Sequence, residues 1–130
     1  MTSTESKFIR LYIVEEQELY RELYKSVLTS STPVELLQVS TNGDVSVMNR
    51  TISTLNPDVL LLSTKKLDKN IIDELGEIRL SHPQIGIVLL LMFYNAQDIE
   101  ALRRLALAGN GGMALFLKQS LDMTEQLYGI

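Results

Sequence analysis

The chain has 130 residues, of which 45% are hydrophobic and 22% charged, a size and composition typical of one globular domain with a packed core. It contains no cysteine, which excludes disulfides, thiolate metal sites and cysteine nucleophiles and favours a reducing, cytoplasmic setting. Its net charge of -4 and scattered basic residues argue against direct nucleic-acid binding. No apolar run is long enough to span a membrane, and the polar tail 1–7 lacks the apolar stretch of a signal peptide.

Short segments rich in β-branched, aromatic or leucine residues predict strands along the whole chain. The predicted strands cover residues 8–14, 34–39, 58–63, 85–93 and 113–117, and Lys118 follows the last of them. The third and fourth strands are apolar without alternation, which is typical of strands buried on both faces of a parallel sheet.

Helical spacing of apolar residues predicts a helix after each strand. Helix 1 places one apolar face at Leu19, Tyr20, Leu23, Tyr24, Val27 and Leu28. The apolar positions of helix 2 are Val45, Met48, Ile52 and Leu55. Asp68 is the predicted cap of helix 3, and Asn95 is that of helix 4, which runs to Ala108. A short fifth helix begins at Ser120. We interpret Gly109 to Gly112 as a flexible connection.

Strand and helix alternate five times, with connections of a few residues. This order predicts an α/β fold, a three-layer, doubly wound domain with a parallel sheet. Neither a linker nor an internal repeat divides the chain, so residues 1–130 are expected to form a single domain.

Four segments in fixed order carry a family resemblance: IRLYIVEEQELYRELYKSVL, NPDVLLLS, SHPQIGIVLLL and the strand that ends in Lys118. Together they resemble the receiver domains of two-component response regulators, and most closely regulators with a helix-turn-helix output domain. The resemblance covers essentially the whole chain. It implies a flavodoxin-like (βα)5 fold with sheet order 2-1-3-4-5 and a site at the carboxyl ends of the strands.

Working receivers accept a phosphoryl group on an Asp at the end of strand 3, beside an acidic pair that helps to hold a divalent metal. The resemblance puts Ser63 at the position of that Asp, Glu15 and Glu16 at the acidic pair, and Lys118 at the family's lysine. A serine hydroxyl supplies neither a carboxylate nucleophile nor a charge for a metal. We therefore expect a degenerate site without a cofactor, with at most weak metal binding at Glu15 and Glu16, and an ion pair of Lys118 with either glutamate.

The family's hydroxyl-bearing switch residue at the end of strand 4 corresponds to Leu91, or to Leu90 if the register differs by one residue. Neither leucine can bind a phosphoryl oxygen. The degenerate phosphoacceptor site is thus expected to comprise Ser63, Glu15, Glu16, Lys118 and Leu91.

Helix 4 has more apolar positions than one core-facing stripe requires. In the family, helix 4, strand 5 and helix 5 form a usual dimer or effector contact. The resemblance therefore implies an interaction surface for a protein partner or a second copy, at Leu102, Arg103, Arg104, Leu105, Leu107 and Phe116. A helix that buries both sides is the alternative.

These expectations lead to the hypothesis of an atypical receiver domain that is not an enzyme and acts in signal transduction or transcription regulation, through protein contacts that do not depend on phosphorylation. One alternative is a small enzyme or nucleotide-binding domain on the same fold, although the turn after strand 1 lacks glycine. Another is a receiver that is phosphorylated at an unforeseen site. A piece that lacks its DNA-binding output domain and a stand-alone adaptor are both compatible with the end of the chain.

Overall fold

The computed structural model describes residues 8–28, 33–41, 43–93 and 95–118. Within these residues, strands and helices alternate as predicted. The elements are β1 (Ile9–Glu15), α1 (Glu18–Leu28), β2 (Val34–Ser40), α2 (Val45–Leu55), β3 (Val59–Lys66), α3 (Lys69–Ser81), β4 (Gly86–Phe93), α4 (Ala96–Ala106) and β5 (Met113–Leu117). The helix predicted from Ser120 lies outside the described residues. No helix in the described part of the chain is long and apolar enough to cross a bilayer.

The five strands form one parallel sheet in the order β2-β1-β3-β4-β5, which confirms the predicted fold class. The core lies in two layers, one on each face of this sheet. Helices α2, α3 and α4 contribute to the larger layer, with Met48, Leu75 and Leu102 as examples. Helix α1 covers part of the opposite face, where Tyr24 packs with Ile13. The two layers explain why the central strands are apolar on both sides.

Side-chain caps fix where the helices begin. Asp68 Oδ1 accepts a hydrogen bond of 3.0 Å from the Ile71 N–H, and Asn95 Oδ1 accepts one of 2.9 Å from the Asp98 N–H. Both caps are confirmed where the sequence predicted them. Helix α4 ends two residues earlier than predicted, because Leu107 is the C-cap residue and the chain turns there towards β5.

The predicted apolar face of α1 is only half correct. Tyr24 is buried and Tyr20 packs against it, but Leu19, Leu23 and Val27 are 77%, 43% and 57% exposed. The six apolar positions form two adjacent rows along the helix, and one row alone can face the sheet. The other row is therefore at the surface of the described structure.

The loop 109–112 is held in place and does not form the flexible connection that we expected. The N–H groups of Asn110 and Gly111 donate to the carbonyl of Pro83 at 2.8 and 3.0 Å. The Gly112 carbonyl accepts from the Ile87 N–H at 2.9 Å. This loop is therefore tied to the segment that leads into β4.

A buried arginine strengthens the same junction. Arg79 is 2% exposed and donates to the Ile85 carbonyl at 2.6 Å and to the Gly112 carbonyl at 3.4 Å. At Gly111, a Cβ atom would overlap the Ile85 carbonyl. Glycine is needed at this position because the two backbone segments approach too closely for a side chain.

Candidate functional site

The parallel register places Glu15 and Ser63 side by side at the carboxyl edge of the sheet. Glu15 ends β1 and is paired directly with Ser63 of β3. Both residues are buried, at 0% and 3% exposure. Lys118 follows β5 at the same edge, and its N–H donates to the carbonyl of Leu91 at 2.6 Å. The fold therefore brings the ends of three strands together around a buried polar cluster, as sites in such sheets require.

The predicted ion pair of Lys118 forms with Glu15. Lys118 Nζ lies 3.0 Å from Glu15 Oε2, and both side chains are fully buried. The ammonium also donates to Gln17 Oε1 at 2.7 Å and lies 4.3 Å from the centroid of the Tyr20 ring. A carboxylate, an amide oxygen and an aromatic face thus compensate the buried charge.

The remaining acceptor capacity of Glu15 is used by its neighbours. The Tyr24 hydroxyl donates to Glu15 Oε1 at 2.8 Å, and the Gln17 N–H donates to Oε2 at 3.2 Å. Burial raises the pKa of Tyr24 above its ordinary value, and its hydrogen bond to Glu15 and the charge of that carboxylate raise it further. Tyr24 therefore stays protonated and holds the carboxylate in position.

Ser63 completes the cluster as a neutral member. Its Oγ atom is buried and makes no hydrogen bond of regular geometry within the described residues. The hydroxyl nevertheless lies near enough to the Tyr24 phenol to lower the pKa of that group, against the stronger effects of burial and Glu15. A serine here adds no charge to the site.

Glu16 is separated from this cluster. Its side chain is exposed, whereas the backbone carbonyls of Glu15 and Glu16 accept hydrogen bonds from Arg21 at 3.0 and 2.9 Å. The acidic pair that the resemblance implied is thus divided between a buried and an exposed carboxylate. Among the described residues, no group of three or more histidine, aspartate or glutamate residues is placed to hold a metal ion.

The structure does not place Leu91 in the site. Ser63 is paired with Leu90, and Leu91 is paired with Thr64. The Leu91 side chain is fully buried in the core layer of α2, α3 and α4, on the opposite face of the sheet from Tyr24. Successive residues of a strand point to opposite faces, so the alternative, Leu90, is the one that shares the face of Ser63.

The predicted interaction surface does not form one patch. Leu102 is 6% exposed and Leu105 packs against the same core layer, so both belong to the interior. Phe116 is exposed but is paired with Leu90, which puts it on the other face of the sheet from α4. Leu102 and Leu105 are three residues apart, so they lie on the same face of α4, and this face packs against the core.

Three of the predicted surface residues remain exposed on or beside α4. Arg103 and Arg104 lie in the last turn, where Arg103 pairs with Glu100 at 3.0 Å, and Leu107 is 81% exposed directly after the helix. They form a basic, partly apolar helix end.

Sequence reasoning missed the polar role of two residues in the cluster, Tyr24 and Gln17. The tyrosine was interpreted as core packing of α1, and Gln17 was not identified as a ligand of the lysine. One signal was present in the sequence, since a tyrosine on a buried helix row needs a partner for its hydroxyl.

Neither a protein-family model nor a curated protein matches the sequence. Solved structures do match the fold. The isolated REC domain of RcsB from Salmonella enterica serovar Typhimurium, in the presence of phosphomimetic BeF3-, superposes with a TM-score of 0.68 at 17% identity, over 93% of this chain and 86% of that chain. A DNA-binding response regulator of the LuxR family from Staphylococcus aureus gives 0.67 at 22% identity, over 94% and 98%.

The signal receiver domain of the putative response regulator NarL from Mycobacterium tuberculosis is similar to the same extent. Its TM-score is 0.67 at 16% identity, over 95% of both chains. At these identities the likeness establishes the fold, which is that of receiver domains.

Proposed function

We propose that this chain is a cytoplasmic receiver-like domain of a signalling protein, that its site is not phosphorylated, and that it acts through protein contacts in signal transduction or transcription regulation. One observation carries the proposal: Ser63 of β3 is paired with Glu15, whose carboxylate is already neutralised by Lys118. The receiver fold of the similar structures supports the signalling role.

Phosphoryl transfer to the site would need a nucleophile that the cluster does not provide. A serine hydroxyl is a weak nucleophile unless a general base takes its proton. The carboxylate paired with Ser63 in the sheet, Glu15, accepts hydrogen bonds from Tyr24 and Lys118 on its two side-chain oxygens. It is therefore engaged as an acceptor rather than free to act as a base.

The charge balance supports the same conclusion. A buried carboxylate and a buried ammonium sum to zero charge, and both have hydrogen-bond partners. An added phosphoryl group would bring negative charge into a buried cluster whose lysine, Lys118, already compensates the charge of Glu15. We infer that the site has a fixed structural role and that the surface of the domain carries its interactions.

The test is incubation of the protein with acetyl phosphate and magnesium, followed by intact-mass measurement. A working receiver domain, treated in parallel, is the positive control and gains the mass of one phosphoryl group. We expect no such gain for this chain. A phosphoryl group on any carboxylate would overturn the proposal.

A further inference from the structure

Strand β5 is an edge strand of the sheet that the described residues form. Within the described residues it pairs with β4 alone. Its sequence, Met113 to Leu117, contains no charge and no proline, and its register with β4 has no bulge. Proteins usually block an exposed edge with one of these features, because its free backbone groups pair readily with another strand. The other edge, β2, carries the charged Glu35 and an irregular register against β1.

Two backbone hydrogen bonds determine which groups of β5 point away from the sheet. The Lys118 N–H donates to the Leu91 carbonyl, and the Gly112 carbonyl accepts from the Ile87 N–H. Even-numbered residues of this segment thus direct their backbone groups towards β4. The N–H and C=O groups of the odd-numbered residues Met113, Leu115 and Leu117 point outward, since the direction alternates along a strand.

We propose that a second copy of this chain pairs with this edge, with the two β5 strands antiparallel about a two-fold axis at Leu115. This inference rests on the proposed function and names its partner. In this register, Leu115 lies opposite its own copy and Met113 lies opposite Leu117 of the second copy. Such pairs exchange both backbone hydrogen bonds, so every outward N–H and C=O of the three residues is satisfied.

The side chains between these pairs have complementary sizes. Ala114 lies opposite Phe116 of the second copy, at a position where the two strands hold their side chains closest together. Phe116 is 57% exposed in the single chain, and the Ala114 methyl group leaves room for the ring of the second copy. The absence of charge on β5 means that no like charges meet across the axis. An apolar strand of an unrelated protein would lack this two-fold match.

Cysteine cross-linking tests the register directly, because the natural chain has no cysteine. A mixture of Ala114→Cys and Phe116→Cys proteins is oxidised and compared with each variant alone. We expect a disulfide-linked dimer in the mixture only, because residue 114 lies directly opposite residue 116 of the second copy. In either variant alone, the two cysteines would occupy identical positions, which are diagonal neighbours about 7 to 8 Å apart and too distant for a disulfide.

A mixture of Leu80→Cys and Phe116→Cys is the matched control, because Leu80 is an apolar residue of α3 with 84% exposure. Equal cross-linking in this control, or none in the test mixture, would overturn the register.

Sedimentation and amide hydrogen exchange test the association without introduced thiols. We expect a concentration-dependent dimer in which the amides of Met113, Leu115 and Leu117 exchange more slowly as concentration rises. Phe116→Lys should raise the dimer dissociation constant about tenfold, because it removes the two symmetry-related pairs of Phe116 with Ala114. Leu107→Lys should leave the dissociation constant unchanged.

A chain that stays monomeric, or a dimer that Phe116→Lys does not weaken, would overturn the inference. Either result leaves the proposed function intact, because the absence of phosphorylation does not depend on the dimer.

Discussion

Glu15 is a buried carboxylate with three hydrogen-bond partners at the carboxyl edge of the sheet. Its carboxylate accepts from Lys118, Tyr24 and the Gln17 backbone. Such partners stabilise a buried charge. If one charge of a buried ion pair is removed, the other charge stays buried without compensation.

Replacement of Glu15 by glutamine should therefore strongly destabilise the domain. The Lys118 ammonium would remain buried without its counter-charge, and we expect a loss of about 3 to 5 kcal/mol in the free energy of unfolding. Urea denaturation measures this loss. Glu16→Gln is the control, since the exposed neighbour should change the free energy of unfolding by less than about 0.5 kcal/mol. Similar effects of the two substitutions would contradict the role of Glu15.

Tyr24 should make the stability depend on pH in the alkaline range. Burial raises its pKa in the folded state above the ordinary value of 10.0. A raised pKa favours the protonated folded form, so this contribution is complete below about pH 10 and is lost as pH rises towards the folded pKa.

Urea denaturation between about pH 8 and 11 measures the dependence. Tyr24→Phe should reduce its slope without abolishing it, because burial also raises the pKa of Tyr12. An unchanged slope in this variant would contradict the assignment.

A one-residue error separates Leu91 from Leu90. The apolar run of β4 has no alternation that marks its faces, so sequence alone does not fix which leucine lies beside Ser63. A shift of one residue moves a side chain to the other side of a sheet. By contrast, Ser63 was correctly expected beside Glu15. The predicted end of the strand at Ser63 was wrong, because β3 continues through the polar residues to Lys66.

At the scale of elements, the sequence predicted the strands, their order and two helix caps, whereas the burial of helix faces was predicted less well. Both rows of α1 are apolar, and periodicity does not tell which row meets the sheet. In the loop 109–112, the glycine-rich composition suggested flexibility. In the structure these glycines instead allow two backbone segments to approach closely, and hydrogen bonds hold the loop in place.

The loop provides a matched pair of glycine substitutions. A Cβ atom at Gly111 would overlap the Ile85 carbonyl, whereas a Cβ atom at Gly112 meets nothing within 4 Å. We expect Gly111→Ala to destabilise the domain by about 1 to 3 kcal/mol through overpacking. Gly112→Ala should be neutral or slightly stabilising. Thermal unfolding of both variants checks this difference, and equal transition temperatures would show that the loop is not tightly held.

At the scale of the molecule, the contact between Lys118 and Glu15 connects strands that are not neighbours. Strands β3 and β4 lie between β1 and β5 in the sheet, and the lysine after β5 contacts the last residue of β1. The contact couples the first strand of the described chain to the last.

A double-mutant cycle should detect this coupling. Lys118→Met alone leaves the Glu15 carboxylate buried without its cation, and Glu15→Gln alone leaves the ammonium. The double variant removes both charges, so we expect it to be more stable than the sum of the single effects predicts, by about 1 to 3 kcal/mol. Denaturant midpoints of the four proteins give this value. Additive effects would mean that the two groups do not interact in the folded protein.

The positions of these two partners also affect when the cluster can assemble. Glu15 and Lys118 are 103 residues apart, so a ribosome must synthesise nearly the whole domain before the carboxylate meets its cation. A nascent chain that has reached only β4 contains the acid without the base, and closing such a long loop carries an entropic cost. The cluster can therefore form only after the fifth strand has been synthesised and has joined the sheet.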